Sequence, residues 1–281
     1  MVSIFSRYYS FLGNKYPELT DGLTIHRLTH EVRGRQVAEF LGAKFNPKEG
    51  YENDVIIHIK PRNLLKVKDG EWVDMGDGQH LIEEFKLRPK VKVIIISDYA
   101  YECYKDILPN EMVVIPHHHV NWERATREKN NPIVGGYIGR PSPIAININN
   151  RLKEILKKVG VDFISCYNWT CRQDAVDFYK SIDFIIIGAT DDLDITCPVQ
   201  TPTKMINAAA FGVPSIAYFR KGYKEFEGYY TPFTFKNIDD LLHEVQRLKD
   251  KNYYDCQACR LIEKAEEYHI SKIIERYKVL S

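Results

Sequence analysis

The sequence of 281 residues lacks any apolar run long enough to cross a bilayer, so no membrane-spanning helix is predicted. It also lacks an excess of charge of one sign, because 39 basic and 38 acidic side chains leave a formal net charge of +1. This balance predicts neither nucleic acid nor an anionic membrane surface as a bulk partner. The remaining composition, 44% hydrophobic and 27% charged, is typical of a globular protein.

The cysteines show no framework of pairs. Six of them are scattered along the chain, which favours reduced thiols and a cytoplasmic location. Residues 1–11 are broken by polar side chains and do not resemble a secretory signal. Cys256 and Cys259 form a C-x-x-C, but the second pair that a structural zinc site needs is missing. We therefore predict no metal site.

Short runs rich in β-branched residues alternate with amphipathic segments in both halves of the chain. The predicted strands are Leu23–Leu28, Asp54–Ile59, Val91–Ser97, Met112–Ile115, Ile133–Ile138, Asp162–Tyr167, Phe184–Gly188 and Ser215–Tyr218. Alternation of strands and helices predicts parallel sheets built from βαβ units. A polar stretch, 120–132, ends in an Asn-Asn-Pro turn signal and suggests two domains, 1–125 and 126–281. The predicted fold class is α/β, with two Rossmann-like domains facing across a cleft.

The most informative stretch runs from Thr201 to Pro214. Pro202 and Thr203 are suited to open a helix, with Thr201 or Thr203 as its cap. The first N–H groups of such a helix, its dipole and the positive charge of Lys204 in the first turn favour an anion. The sequence therefore predicts a site for a diphosphate at the start of this helix.

This stretch resembles the donor-binding segment of the GT-B glycosyltransferases, with the approximate pattern P-[ST]-K-x-x-E-A-x-A-x-G-x-P. The matching residues are Pro202, Thr203, Lys204, Ala208, Ala210, Gly212 and Pro214. The order of elements from Ile133 to Tyr218 is similar to the C-terminal half of that fold. The resemblance implies a hexosyl- or pentosyltransferase that uses a nucleoside-diphosphate sugar, such as a UDP or GDP sugar, and no other cofactor. The implied acceptor is a saccharide, a lipid-linked group or a protein-linked group.

The sequence departs from the pattern at two places. Asn207 stands where many retaining members carry a glutamate that holds the donor ribose, and Val199 replaces an acidic residue often found eight positions earlier. An amide still hydrogen-bonds a hydroxyl, but without assistance from a charge. This departure favours an inverting mechanism or a divergent family of the same fold. The glycosyltransferase that we predict is inverting and independent of metal ions.

Further donor-binding residues are predicted around two other strands. The loop that contains Gly136, Gly139 and Arg140 offers close backbone approach and a guanidinium for a phosphate. Tyr167 and Asn168 follow the next predicted strand, where the resemblance implies contact with the nucleobase. The acidic loop Asp191–Asp194 contains a D-x-D, but we interpret it as solvated rather than metal-binding.

An inverting transfer needs a general base for the acceptor hydroxyl. The resemblance implies that this base comes from the first half of the chain. His30, Asp98 and His118 are the candidates, because each follows a predicted strand of that half.

Two other classes of function stay open at this point. A nucleotide-sugar epimerase or hydrolase of related fold would use the same phosphate site but form its product without an acceptor. A non-enzymatic two-lobed α/β protein would bind its ligand without turnover. The oligomeric state is not predicted.

Overall fold

The computed structural model describes residues 1–6, 30–76, 78–139, 141–169, 171–188, 201–234 and 237–280. Within these residues the chain divides into two compact units. The first unit contains the residues up to His118, Thr201 and the C-terminal stretch that begins at Ile270. The second unit runs from His119 to His269 without Thr201. Among the described residues, no helix has the length and apolar character that a membrane span requires.

The first unit is built on a parallel sheet. Its strands are β1 (Val2–Phe5), β2 (Lys44–Phe45), β3 (Val55–Ile59), β4 (Trp72–Asp74), β5 (Lys92–Ile95) and β6 (Met112–Val114). They lie side by side in the order β2-β1-β3-β4-β5-β6, and every pair is parallel. The helical segments are a π-helical turn (His30–Arg35), α1 (Gln36–Leu41), α2 (Ile82–Leu87) and α3 (Asp98–Tyr104).

The structure of the first unit differs from the prediction in one central strand. The Lys-Asp-Gly and Gly-Asp-Gly sequences of the segment 61–89 predict an irregular or hairpin excursion, but the segment contributes β4 and α2. β4 pairs with β3 and β5, with Val73 opposite His58 and Val93. Three residues form a strand here because both neighbours supply hydrogen-bonding partners and the side chains of Trp72 and Val73 are buried. The predicted strand Leu23–Leu28 lies outside the described residues.

The second unit is built on another parallel sheet. Its strands are β7 (Val134–Ile138), β8 (Asp162–Cys166), β9 (Phe184–Ile187), β10 (Ser215–Tyr218) and β11 (Thr231–Phe233). Their order is β11-β10-β9-β7-β8, and every pair is parallel. The helices are α4 (Pro143–Lys157), α5 (Arg172–Ser181), α6 (Thr203–Ala209), α7 (Ile238–Leu248) and α8 (Lys251–Ala265).

Strand β9 shows why this sheet is covered on both faces. Ile185 and Ile187 belong to one buried cluster, with residues of α5 and α6. Phe184 and Ile186 belong to a second cluster, with residues of α4 and α7. Successive side chains of a strand point to opposite faces, so a run of four apolar residues needs apolar layers on both sides.

The final helix, α9 (Ile270–Lys278), groups with the first unit, where it packs against α1. The sequence predicts one helix over Cys256–Tyr277. Instead, α8 ends at Ala265, a 3-10 turn covers Glu266–Tyr268, and His269 is extended before α9 begins.

Candidate donor-binding site

The segment that carries the resemblance forms α6, which begins and ends close to the predicted positions. Pro202 occupies the cap position, and its carbonyl accepts the first helical hydrogen bond from Ile206 N at 2.9 Å. The expectation that Thr201 or Thr203 caps the helix is therefore not met, and no side chain caps it. Gly212 ends the segment in the left-handed conformation, with a φ of 65° that favours glycine. Lys204 lies in the first turn, as predicted.

The ammonium of Lys204 lies over the ring of Tyr137, with Nζ 4.5 Å from the ring centroid. The backbone of Gly139, directly after β7, lies close to the phenol of Tyr137 and to the ammonium of Lys204. A Cβ at Gly139 would lie 2.6 Å from Tyr137 Oη and 3.0 Å from Lys204 Nζ. The absence of a side chain at Gly139 thus allows the end of β7 and the start of α6 to meet. The structure brings two predicted donor-binding residues, Gly139 and Lys204, into one place.

Lys204 is partly buried, and its charge has no carboxylate partner among the described residues. The ion pairs in the described part of the second unit all join other residues. Burial, together with repulsion from the Arg220 guanidinium, lowers the pKa of the Lys204 ammonium to about 8. Isolated buried charges are rare in proteins unless they serve a ligand. The unpaired ammonium lowers the stability of the free protein, and a bound anion would supply the missing opposite charge.

Arg220 is a residue that the sequence reasoning missed. It follows β10 directly and is 7% exposed. Nothing in the local sequence Phe219-Arg220-Lys221 distinguishes a buried arginine from an exposed one. Only the parallel order of β10, β9 and β7 places it at the same edge of the sheet as Gly139 and Lys204.

Tyr167 joins this neighbourhood through Tyr137. The two rings lie 5.8 Å apart between centroids, and Asn149 Nδ2 donates a hydrogen bond to Tyr167 Oη at 2.6 Å. Burial raises the pKa of Tyr137, so its phenol stays neutral over the physiological range. Asn168 is exposed next to this pair. The predicted contact of Tyr167 and Asn168 with a nucleobase stays a prediction.

Two other predicted donor residues have structural tasks that explain them. Asn207 Oδ1 accepts a hydrogen bond from Val120 N at 3.0 Å, which fastens that segment to α6. A Cβ at Gly136 would lie 2.6 Å from Ile182 Cγ2 and 2.8 Å from Phe178 Cζ, so this glycine makes room for α5 and the residue after it. The donor-binding roles of Asn207 and Gly136 stay predictions. Thr201 and Thr203 are partly buried, and each has further contacts.

The candidate bases lie in three different settings in the first unit. Asp98 is the exposed first residue of α3, which Ser97 caps by accepting a hydrogen bond from Ala100 N at 3.0 Å. His118 is buried, with Nε2 3.0 Å from Gln36 Oε1. His30 begins the π-helical turn, but its side chain lies outside the described part. The assignment of a base to any of these residues stays a prediction.

His117 is a further group that the sequence did not single out from its two neighbours. Its Nδ1 is buried and has no hydrogen-bond partner among the described residues. Burial lowers the pKa of His117 well below its ordinary value, and the Arg33 guanidinium acts in the same direction. The imidazole is therefore neutral at neutral pH.

Two of the predicted features lie on residues that the structure does not describe, and the predicted absence of a metal site concerns the rest of the chain. Arg140 and the acidic loop Asp191–Asp194 lie outside the described residues. Cys256 and Cys259 are exposed on α8. Within the described ranges, no group of three histidine, cysteine or acidic side chains is arranged to hold a metal ion.

Two parallel sheets, each in its own compact unit, define an α/β protein with two Rossmann-like domains. Comparison with solved structures shows that the fold is of the GT-B type. The chain matches a point mutant of S. aureus TarM, in complex with fondaparinux, α-GlcNAc-glycerol and UDP, with a TM-score of 0.55 and 13% identity, over 83% of this chain and 52% of that one. It matches Anabaena HepE in complex with UDP and glucose with a TM-score of 0.53 and 10% identity, over 99% and 98%.

A third match is the glycosylation-associated protein (Gap123) complex from Streptococcus agalactiae. Its TM-score is 0.52 with 12% identity, and the match covers 83% of this chain and 56% of that one. The chain thus spans about half the length of the TarM chain and nearly all of the HepE chain. No family model matches the sequence, and no curated protein matches it. At these identities the likeness concerns the fold.

Proposed function

We propose that this protein is a glycosyltransferase that binds the diphosphate of a nucleoside-diphosphate sugar at Lys204. The observation that carries the proposal is the partly buried ammonium of Lys204, which has no carboxylate partner among the described residues and lies beside Gly139 and over the ring of Tyr137. An unpaired buried charge costs several kcal/mol, roughly, unless an opposite charge compensates for it. A diphosphate supplies that charge.

The full charge of Lys204 contributes more to this site than the helix that carries it. α6 has only seven residues, and a helix end is equivalent to about half a charge whose effect fades within one turn. A pair of unit charges about 4 Å apart is worth about 4 kcal/mol at an effective dielectric constant of about 20. The side-chain cation is therefore the main source of affinity that we assign to the phosphates.

The fold supports the same function. The TarM structure and the HepE structure contain UDP, and the HepE structure also contains glucose. We assign the donor to the second unit, and the acceptor, a saccharide, lipid-linked or protein-linked hydroxyl, to the first. We propose an inverting transfer, because the neutral amide of Asn207 stands in place of the carboxylate of retaining members and accepts a hydrogen bond from Val120 N. We also propose that the transfer needs no metal ion.

The test is binding followed by turnover. UDP and GDP are each titrated into the protein by calorimetry, and the protein is then incubated with UDP- and GDP-sugars with and without acceptor sugars. We expect one nucleotide to bind with a Kd of about a millimolar or tighter, and a glycosylated product to form only when an acceptor is present.

Each other outcome points away from the proposal. Altered or free sugar formed without an acceptor indicates the epimerase or hydrolase. Binding without any turnover indicates a binding protein. Absence of binding by both nucleotides contradicts the phosphate site itself.

The affinity for the nucleotide is expected to fall at alkaline pH. The pKa of Lys204 is about 8 in the free protein, and a bound diphosphate raises it because it stabilises the charged form. Below pH 8 the site is already charged. Above pH 8 binding must take up a proton, so the affinity falls by up to about tenfold per pH unit.

Calorimetric titration of UDP between pH 7 and pH 9.5 measures this dependence. The tyrosines nearby do not account for this dependence, because burial raises the pKa values of Tyr137 and Tyr223. The terminal phosphate, with a second pKa of about 6, is ionised throughout. An affinity that stays constant across this range would contradict the role of Lys204.

A further inference from the structure

Arg220 has the same unusual environment as Lys204. It is buried after β10, and its backbone carbonyl accepts a hydrogen bond from Tyr223 N at 3.0 Å at the start of the 3-10 turn Lys221–Phe226. No carboxylate among the described residues forms an ion pair with its guanidinium. The backbone of Arg220 is thus held in place while the described residues leave its charge uncompensated.

Two other arginines with buried side chains have their charge compensated by a carboxylate. Arg33 Nε donates to Asp74 Oδ2 at 2.5 Å, and Arg127 is paired with Asp183. Both of these guanidinium groups hold parts of the fold together. Arg220 differs from them because the described structure contains no such partner for it.

The sheet order explains why Arg220 and Lys204 are neighbours. β9 lies between β10 and β7, and all three strands are parallel, so their carboxyl ends share one edge. Gly139 follows β7, Lys204 lies in the helix that comes after β9, and Arg220 follows β10. The two cations repel each other, and Arg220 adds to the lowering of the Lys204 pKa after the effect of burial. Two like charges held together at a ligand-binding edge fit a ligand with two negative groups.

We propose that Arg220 binds the second phosphate of the donor, so that the diphosphate is shared between Lys204 and Arg220. A guanidinium suits this task because it can donate two parallel hydrogen bonds to one phosphate. The inference rests on the proposed function and makes it more specific. The site then selects nucleoside diphosphates over nucleoside monophosphates, and Arg220 is the residue that makes the distinction.

The experiment compares UDP with UMP in the wild-type protein and in Arg220→Gln, Arg220→Lys and Lys221→Gln. Lys221 is the matched control, because it is the exposed neighbour and its replacement removes the same charge. Affinities are measured by calorimetry, and melting temperatures confirm that each variant is folded. Where uridine binds poorly, GDP and GMP replace UDP and UMP.

Arg220→Gln is expected to weaken UDP binding about tenfold to a hundredfold, the range for a lost hydrogen bond to a charged group. The affinity for UMP is expected to change less than threefold, roughly, so that the preference for the diphosphate largely disappears. Arg220→Lys is expected to give an intermediate loss for UDP, and Lys221→Gln no loss. If Arg220→Gln does not fold, Arg220→Lys decides by the same ratio.

Other outcomes overturn the inference in distinguishable ways. Equal weakening of UDP and UMP means that Arg220 acts on the site as a whole and not on the second phosphate. Unchanged UDP binding in Arg220→Gln, together with its loss in Lys204→Met, removes Arg220 from the site and leaves the proposed function intact. A wild-type protein that binds none of these nucleotides contradicts both.

Discussion

Replacing Lys204 with methionine is expected to weaken UDP binding by about 100- to 1000-fold and to raise the melting temperature of the free protein. The loss follows from removing a charge worth about 4 kcal/mol to a phosphate about 4 Å away, which corresponds to about three orders of magnitude in Kd. Methionine has a similar length and no charge, so the packing against Tyr137 is largely kept.

The gain in stability has a separate reason. At pH 7 the ammonium is charged, because this pH lies below its lowered pKa of about 8. Partial burial of an unpaired charge costs several kcal/mol, roughly, whereas the cation–π contact with Tyr137 returns about 0.5–2 kcal/mol. The charge thus destabilises the free protein, as expected of a residue kept for binding.

Calorimetry and differential scanning measure the two effects, with Lys221→Met as the control. Lys221 is exposed, so its replacement is expected to change the melting temperature by about 1 °C or less and to leave the affinity unchanged. A Lys204→Met protein that binds UDP as tightly as the wild type would remove Lys204 from the binding site. One that melts at a lower temperature would show that the lysine is structural.

Replacing Asp74 with asparagine is expected to destabilise the first unit by about 3–5 kcal/mol, because it leaves the guanidinium of Arg33 buried without its partner. Both side chains are almost completely buried, at 0% and 1% exposure. The same Oδ2 of Asp74 lies 3.4 Å from Tyr277 Oη, and Arg33 NH2 donates to Ile115 O at 2.8 Å. The pair therefore connects β4, the π-helical turn and α9.

Urea denaturation followed by hydrogen exchange of the peptides in β3 to β5 measures this loss. The control is Glu83→Gln, which removes an exposed ion pair with Lys86 and is expected to cost less than about 1 kcal/mol. A similar small loss in Asp74→Asn would mean that the buried pair contributes no more than a surface pair. The double variant Arg33→Met/Asp74→Leu is expected to be more stable than Asp74→Asn, since no charge is left unpaired.

The elements of the second unit could be predicted closely, because each is indicated by residues within its own segment of the sequence. The sequence predicts a helix over Arg172–Ser181 and a strand over Ser215–Tyr218, and both form with these bounds. The run Phe184–Ile187 is apolar at every position, as a strand covered on both faces requires. Gly212 ends the segment after α6, where its positive φ is favourable only for glycine.

The first unit was harder to predict because its short strands depend on their neighbours. β1 (Val2–Phe5) and β4 (Trp72–Asp74) were not predicted, although both lie inside the sheet. Each has only three or four residues, and β4 follows a Lys-Asp-Gly that indicates a turn. Their strand conformation comes from pairing on both sides, and pairing partners far along the chain leave no periodicity in the sequence.

The split of the predicted helix Cys256–Tyr277 has a similar cause. The segment around Tyr268 contains no glycine or proline, so nothing local indicates a break. The buried face of α9, which includes Ile273 and Tyr277, packs in the first unit, whereas α8 belongs to the second. The break at His269 therefore separates the helix of the second unit from the helix of the first.

The candidate site shows the same limit of sequence reasoning. Lys204 was found because it belongs to a contiguous pattern with Pro202 and Gly212. Arg220 was not found, because its significance lies in being buried beside Lys204 with no carboxylate partner among the described residues, and that is a property of the folded sheet. The hydrogen bond from Val120 N to Asn207 Oδ1 could not be predicted either, since the two residues are 87 positions apart in the sequence.

A crystal structure of the protein with UDP bound tests the central claim most directly. We predict phosphate oxygens within about 3 Å of Lys204 Nζ, beside Gly139 at the end of β7. Density for the nucleotide elsewhere on the protein, with the Lys204 ammonium still over Tyr137 and in contact with no phosphate, would contradict the account.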